Sequence, residues 1–356
     1  MTRKIASLLS LCMLPGIALA GSYNQNNLVS DIPGMAAVTD SNLLNPWGIS
    51  FSAASPLWVS DEAANVSTLY SNTGTPNALV VNVPGGPTGQ VFNVAGAGNF
   101  VDGASAANFL FATLGGSIYA WNGANGSTAQ FEASTAGAQF TGLAIDNNGT
   151  ANFIYAANDK ASGGGIVVFN SSFSQVVLSG GFVDPNLPSG YEPYNIQAIG
   201  GLLYVEYTNT NTPRALGSGA VSVFDANGNF IQELISPGGQ LDDPWGVTLA
   251  PASFGTYSND LLVGNFGNGM INAFNPTTGA FLGTLDGPGG TPLVNQDLWA
   301  LAVTPTNPNA VYFTAGINGQ KDGLFGNITV SPEPGSIALM GLGCLALALM
   351  SKRART

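Results

Sequence analysis

One short block recurs six times along the chain, and a fixed internal period limits the available folds more than any single motif does. Its clear copies are Asn45-Pro46-Trp47-Gly48-Ile49, Glu192-Pro193-Tyr194-Asn195-Ile196, Asp243-Pro244-Trp245-Gly246-Val247 and Asp297-Leu298-Trp299-Ala300-Leu301. Gln90-Val91-Phe92-Asn93-Val94 and Gln139-Phe140-Thr141-Gly142-Leu143 are weaker copies. The third residues fall at 47, 92, 141, 194, 245 and 299, spacings of 45, 49, 53, 51 and 54. Six units of this length fit the blades of a β-propeller.

Each unit carries a second apolar run, such as Leu57-Trp58-Val59-Ser60 or Phe153-Ile154-Tyr155-Ala156. A third ends on an aromatic and a polar turn, such as Val223-Phe224-Asp225 or Ala273-Phe274-Asn275. Short β-branched and aromatic runs divided by Gly and Asn turns read as antiparallel hairpins. The expectation is an all-β, six-bladed propeller of four-stranded antiparallel blades over residues 21–331, with a pair of β-sandwiches as the alternative. The last unit has no fourth strand of its own, so Asn26-Asn27-Leu28-Val29-Ser30 is expected to supply it and close the ring. Trp47, Trp245 and Trp299 are expected as wedges between blades; Trp58 and Trp121 read ambiguously.

The two ends read differently. Residues 1–20 have the pattern of a secretory signal peptide: Arg3 and Lys4, an apolar run, and the cleavage site Ala18-Leu19-Ala20. Pro332-Glu333-Pro334 is followed by the sixteen-residue apolar run from Gly335 to Met350 and by Lys352, Arg353 and Arg355. That order resembles the PEP-CTERM sorting signal of exosortase-processed bacterial proteins; a permanent single-span anchor is the alternative reading of residues 332–356. The resemblance implies a membrane protease of exosortase type as partner, an exported location at the cell surface or outside it, and membrane contact through the C-terminal helix alone.

Without those segments only Lys160, Arg214 and Lys321 face nineteen carboxylates, a net charge of −16. Nucleic acid is thereby excluded as a partner, since it needs Lys or Arg to displace its counterions. The chain has no histidine, which removes Ser-His-Asp hydrolysis and His-ligated zinc. Its two cysteines, Cys12 and Cys344, both lie in the end segments.

The blocks Asn45-Pro46-Trp47-Gly48-Ile49, Trp58-Val59-Ser60-Asp61, Pro87-Thr88-Gly89, Asp242-Asp243-Pro244-Trp245-Gly246, Leu261-Leu262-Val263-Gly264-Asn265-Phe266-Gly267 and Gly323-Leu324-Phe325-Gly326 resemble a family of exported bacterial propeller-type proteins, many bearing the same tail. The resemblance implies a fold and an exported setting but no activity. Where that family has an acidic turn after Phe-Ala-Thr, this chain has Leu114-Gly115-Gly116.

The first residue of each block is a carboxamide or a carboxylate: Asn45, Gln90, Gln139, Glu192, Asp243 and Asp297. With the inner strands in register these six would ring one mouth of the channel, and three carboxylates among them suit Ca2+, with Glu192, Asp243 and Asp297 as its candidate ligands. The same residues also suit strand-capping turns. Asp225-Ala226-Asn227-Gly228-Asn229 imitates the start of a calcium loop but reads as a hairpin turn, and Gly163-Gly164-Gly165 and Gly267-Asn268-Gly269 lack the lysine and helix of a phosphate cradle.

Three functions stay open: an exported binding or scaffold protein touching extracellular polysaccharide, a structural surface protein without a small ligand, and a metal-dependent hydrolase similar to six-bladed lactonases. The last would draw on Glu192, Asn45, Asp243 and Asp297. No residue set is assigned as catalytic.

Overall fold

The computed structural model describes residues 22–160 and 163–331. The expected signal segment with Ala18 and Ala20, and the expected sorting signal with Pro332, Glu333 and Pro334, lie outside the described residues.

The described chain is a six-bladed propeller of small antiparallel sheets, with almost no helix. The innermost strands of the six blades are Pro46–Ser50, Pro87–Phe92, Phe140–Asn147, Tyr191–Ile199, Pro244–Leu249 and Leu298–Thr304. Each packs against the innermost strand of the next blade, and Leu298–Thr304 returns to Pro46–Ser50, so the ring is closed. In blades one to five the strands are added outward in chain order, as a meander of hairpins requires.

The sixth blade is finished by the other end of the described chain. Tyr23–Ser30 lies antiparallel to Leu324–Val330, with Tyr23 opposite Val330 and Ser30 opposite Leu324. Asn26 Nδ2 donates to Asn327 Oδ1 at 2.9 Å across this seam. The short strand Val38–Thr39 then adds in parallel outside it, which the repeat did not foretell. Pairing the two ends of the described chain in one blade covers the edge that Leu324–Val330 would otherwise leave open.

The core is divided by the architecture. Six apolar clusters sit between successive blades, for example Trp58, Leu69 and Val81 of the first blade against Phe109, Phe111 and Trp121 of the second. Trp58 stacks on Phe109 with ring centroids 4.0 Å apart, which makes it a true inter-blade wedge.

A seventh cluster lies on the axis and corrects the expected role of three tryptophans. Trp47, Tyr194, Trp245 and Trp299, from blades one, four, five and six, pack together with Phe266 and Ala300. Trp47 stacks on Trp299 at 3.5 Å between centroids, and Trp245 meets both of them edge-on at 6.0 and 5.8 Å. Contact between the non-adjacent blades one and five is possible only across the channel. These side chains plug the channel instead of wedging the blades. The cause is a register shift at the start of each innermost strand, as between Pro46 and Ile49, Pro193 and Asn195, and Pro244 and Gly246. A bulge re-aims the side chain at its centre. Blades two and three place the smaller Thr88 and Thr141 there, leaving room for the large rings.

The same shift corrects the second block. Pro87 pairs with Thr113 as Pro46 pairs with Asp61, so Pro87-Thr88-Gly89, not Gln90-Val91-Phe92, is the second copy of the motif. The fourth motif position carries glycine in four blades for a steric reason: a Cβ on Gly89 would overlap the backbone of Gly142 and Leu143 in the next blade, and one on Gly142 would overlap Asn195 in the one after.

Candidate functional site at the channel mouth

The residue before each innermost strand sits at the mouth, one hydrogen bond from the residue that follows the second strand. Glu62, Leu114, Asp159, Phe266 and Gly316 donate their N–H to the carbonyls of Asn45, Gly86, Gln139, Asp243 and Asp297, respectively. In the fourth blade Thr208 occupies the corresponding place opposite Glu192. Asn45, Asp243 and Asp297 adopt left-handed φ values of 46°, 48° and 50°, a region that Asn and Asp tolerate better than most residues. Gly86, at φ 72°, is the second-blade counterpart. Turn geometry is thus part of what these positions do.

The six expected residues do not form one ring of ligands. Gln90 lies inside the first interface, donating through Nε2 to the carbonyls of Gly48 and Trp58 at 2.8 Å each. Gln139 is exposed at the rim. Asn45 is buried, its Oδ1 accepting from Trp299 Nε1 at 3.0 Å and its Nδ2 donating to Glu62 Oε2 at 2.8 Å. Glu192 rests its carboxylate on the backbone at Gly164, and Asp242 lies in the same way on Gly267. At Gly164 and Gly267 the missing Cβ leaves the space that these carboxylates fill.

Asp243 and Asp297 do come together, around Arg214. Asp243 Oδ2 accepts the backbone N–H of Arg214 at 2.6 Å, and its Oδ1 accepts from the hydroxyls of Thr208 and Ser218. Asp297, 3% exposed, lies 3.5 Å through Oδ1 from the Arg214 guanidinium, whose side chain is 51% exposed. That guanidinium sits over the Phe266 ring, 4.6 Å from its centroid. A pocket of about 310 Å3 opens here, lined by Asp159, Tyr194, Thr208, Thr210, Pro213, Arg214, Asp243 and Phe266. Further along the axis a cavity of about 270 Å3 is lined mostly by apolar residues such as Leu143, Trp245 and Leu301, with Gln90, Asn195, Gln197 and Thr248 among them and no charged residue.

Burial raises the acids of the mouth. Asp159 is pushed up to about 7 by burial and then by the charges of Glu192 and Asp243. Burial also raises Glu192, Asp242 and Asp297, in the last two cases against the opposing pull of Arg214. Asp159 and Arg214 are charged pocket residues that the repeat did not single out. Asp159 follows the second strand rather than preceding the first, and Arg214 belongs to a loop of one blade only.

These residues do not fit a divalent cation as they stand. No group of three or more acidic side chains is arranged to hold a metal among the described residues. Asp243 has both oxygens engaged, and the positive charge beside Asp297 is the chain's own guanidinium. A Ca2+ ion on Glu192, Asp243 and Asp297 would require Arg214 to withdraw.

Fold and mouth together define a six-bladed propeller with an axial aromatic plug and one acidic, arginine-centred pocket. No protein-family profile matches the chain. It is 32% identical over 330 residues to uncharacterized protein R648 of Acanthamoeba polyphaga mimivirus, a match covering 86% of this chain and 80% of that protein. It is 29% identical to uncharacterized protein L690 of the same virus, covering 86% of both. The chain belongs to the family of these mimivirus proteins. The expected membership in an exported bacterial PEP-CTERM family is corrected by these relatives, which are viral.

Among solved structures, the fold is similar to a gluconolactonase from Xanthomonas campestris at TM-score 0.51 and 13% identity, covering 82% of this chain and 89% of that one. It is equally similar to regucalcin, a calcium-binding protein from Agrobacterium tumefaciens, at TM-score 0.51 and 13% identity, covering 88% and 96%. Virginiamycin B lyase from Staphylococcus aureus also gives TM-score 0.51 at 13% identity, covering 87% and 99%. At this identity the likeness is one of fold.

Proposed function

We propose that the protein is a non-catalytic binding propeller that seats a hydroxyl-rich ligand of the saccharide class at the Arg214 mouth. The pocket itself carries this reading: it joins Tyr194 and the Phe266 ring, over which the Arg214 guanidinium lies, to the hydroxyl oxygens of Thr208 and Thr210 and to Asp159, whose Oδ1 has no partner among the described residues. Aromatic faces cover the apolar side of a sugar ring, and carboxylates accept its hydroxyls. An extracellular setting and contact with polysaccharide belong to the proposal and rest on the sequence alone. The test is calorimetry of the whole protein against neutral, acidic and amino-substituted oligosaccharides. Tyr194→Ala and Asp159→Asn should each weaken binding about tenfold, or ~1.4 kcal/mol. Absence of binding across the panel contradicts the proposal.

One observation favours a second reading, a hydrolase. Asp159, held near 7, lies where a general base works best at neutral pH. The gluconolactonase among the fold neighbours makes lactones the first substrates to try, and regucalcin makes Ca2+ the first ion to add. Failure of the wild type to turn over any lactone, with or without Ca2+, removes this reading.

A further inference from the structure

Resting on the reading of the mouth as the ligand seat, we infer that it is a cage for an organic cation, occupied by the chain's own Arg214, and that a guanidinium or ammonium group of the ligand takes the same place. The cage has two unlike walls. One is the Phe266 ring, over which the guanidinium lies at 4.6 Å, and aromatic faces attract cations through their quadrupole. The other is Asp297, which is 3% exposed, points Oδ1 at the guanidinium and leaves Oδ2 with no partner among the described residues. A buried carboxylate with an unpaired oxygen is costly unless a donor reaches it.

Arg214 fills this space without saturating it. The Asp297 contact is 3.5 Å, longer than a charge-assisted hydrogen bond of about 2.7–2.9 Å, and the side chain stays half exposed. The residue is held by its backbone: its N–H bonds Asp243 Oδ2 at 2.6 Å, and its φ of 55° lies in the left-handed region. A side chain lightly held over an anchored backbone can swing out while the cage keeps its shape. Asp242 and Asp243 stand beside it, so removal of the guanidinium leaves a pocket of uncompensated negative charge, which selects for a positive occupant.

The test is chemical replacement. Full-length Arg214→Ala, and Arg214→Gln as a second variant that keeps a polar side chain, are melted with and without methylguanidinium at about 10 mM, a concentration chosen to exceed a millimolar dissociation constant. Both variants should melt lower than wild type and recover several degrees with methylguanidinium, while wild type does not move. The recovery should vanish when Asp297→Asn and Phe266→Ala are added. No recovery, equal recovery in the added variants, or recovery with Ca2+ but not methylguanidinium overturns the inference. The saccharide test uses wild type, so its failure and this one are separable.

Discussion

Arg214 and Asp297 belong to different blades, four and six, and meet 3.5 Å apart at the channel mouth. A charge pair reaching across the axis requires the rim of the propeller to be nearly closed, and the plug beneath it shows how that is achieved. Trp299 is 1% exposed and touches rings from blades one, four and five.

Trp299→Ala should therefore destabilise the whole ring, not one interface. Truncating a buried tryptophan costs about 3–5 kcal/mol. Val177, 93% exposed just after the short outer strand Gln175–Val176, is the control, since truncation there should stay within about 0.5 kcal/mol. Urea titration of both variants reads the difference.

The period of the fold was legible because Trp-Gly or its equivalent recurs where the inner strands bulge. The second copy was misplaced because Pro87-Thr88-Gly89 has Thr88 at the aromatic position, whereas Phe92 supplies an aromatic four residues later. The direction of the tryptophans was not legible: a bulge shifts a side chain from the blade face to the axis without changing the residue pattern. Of the mouth, sequence yielded Asp243 and Asp297 through their repeat position. Arg214 has no counterpart in other blades, and Asp159 corresponds to Glu62, Leu114, Phe266 and Gly316, so charge at that position recurs in only one other of these blades and did not mark it.

Gly142→Ala should be destabilising out of proportion to one methyl. The added Cβ would overlap Asn195, whose Nδ2 also donates to the Trp245 carbonyl at 2.6 Å, tying three blades together. Overpacking of this kind costs about 1–3 kcal/mol. A melting midpoint unchanged from wild type would show that the inner strands are looser than the contacts imply.

Glu206 should give the protein a characteristic response to pH. It is fully buried between blades four and five, neither carboxyl oxygen has a partner among the described residues, and burial raises its pKa well above the usual range. The folded state then holds a proton that the unfolded state releases above its ordinary value of about 4.3, so this residue lowers stability as pH rises past that point. In Glu206→Gln that loss disappears. The melting difference, variant minus wild type, should grow from pH 4 to pH 7, and a flat difference would mean the carboxylate is ionised in the fold.

Ligand binding at the mouth should follow Asp159. With its pKa near 7, its carboxylate accepts hydroxyls fully only above that value, so affinity should rise between pH 6 and pH 8. Asp159→Asn should bind more weakly and show no such rise. Calorimetry at the two pH values checks both statements.

The most direct measurement is the melting midpoint of the full-length wild type in EDTA and then in excess Ca2+. With Arg214 supplying the positive charge beside Asp297, the midpoints should coincide. A calcium-dependent rise of about 5 °C or more, as a well-filled site produces, that is lost in Asp243→Asn with Asp297→Asn would contradict the account and make the mouth a metal site.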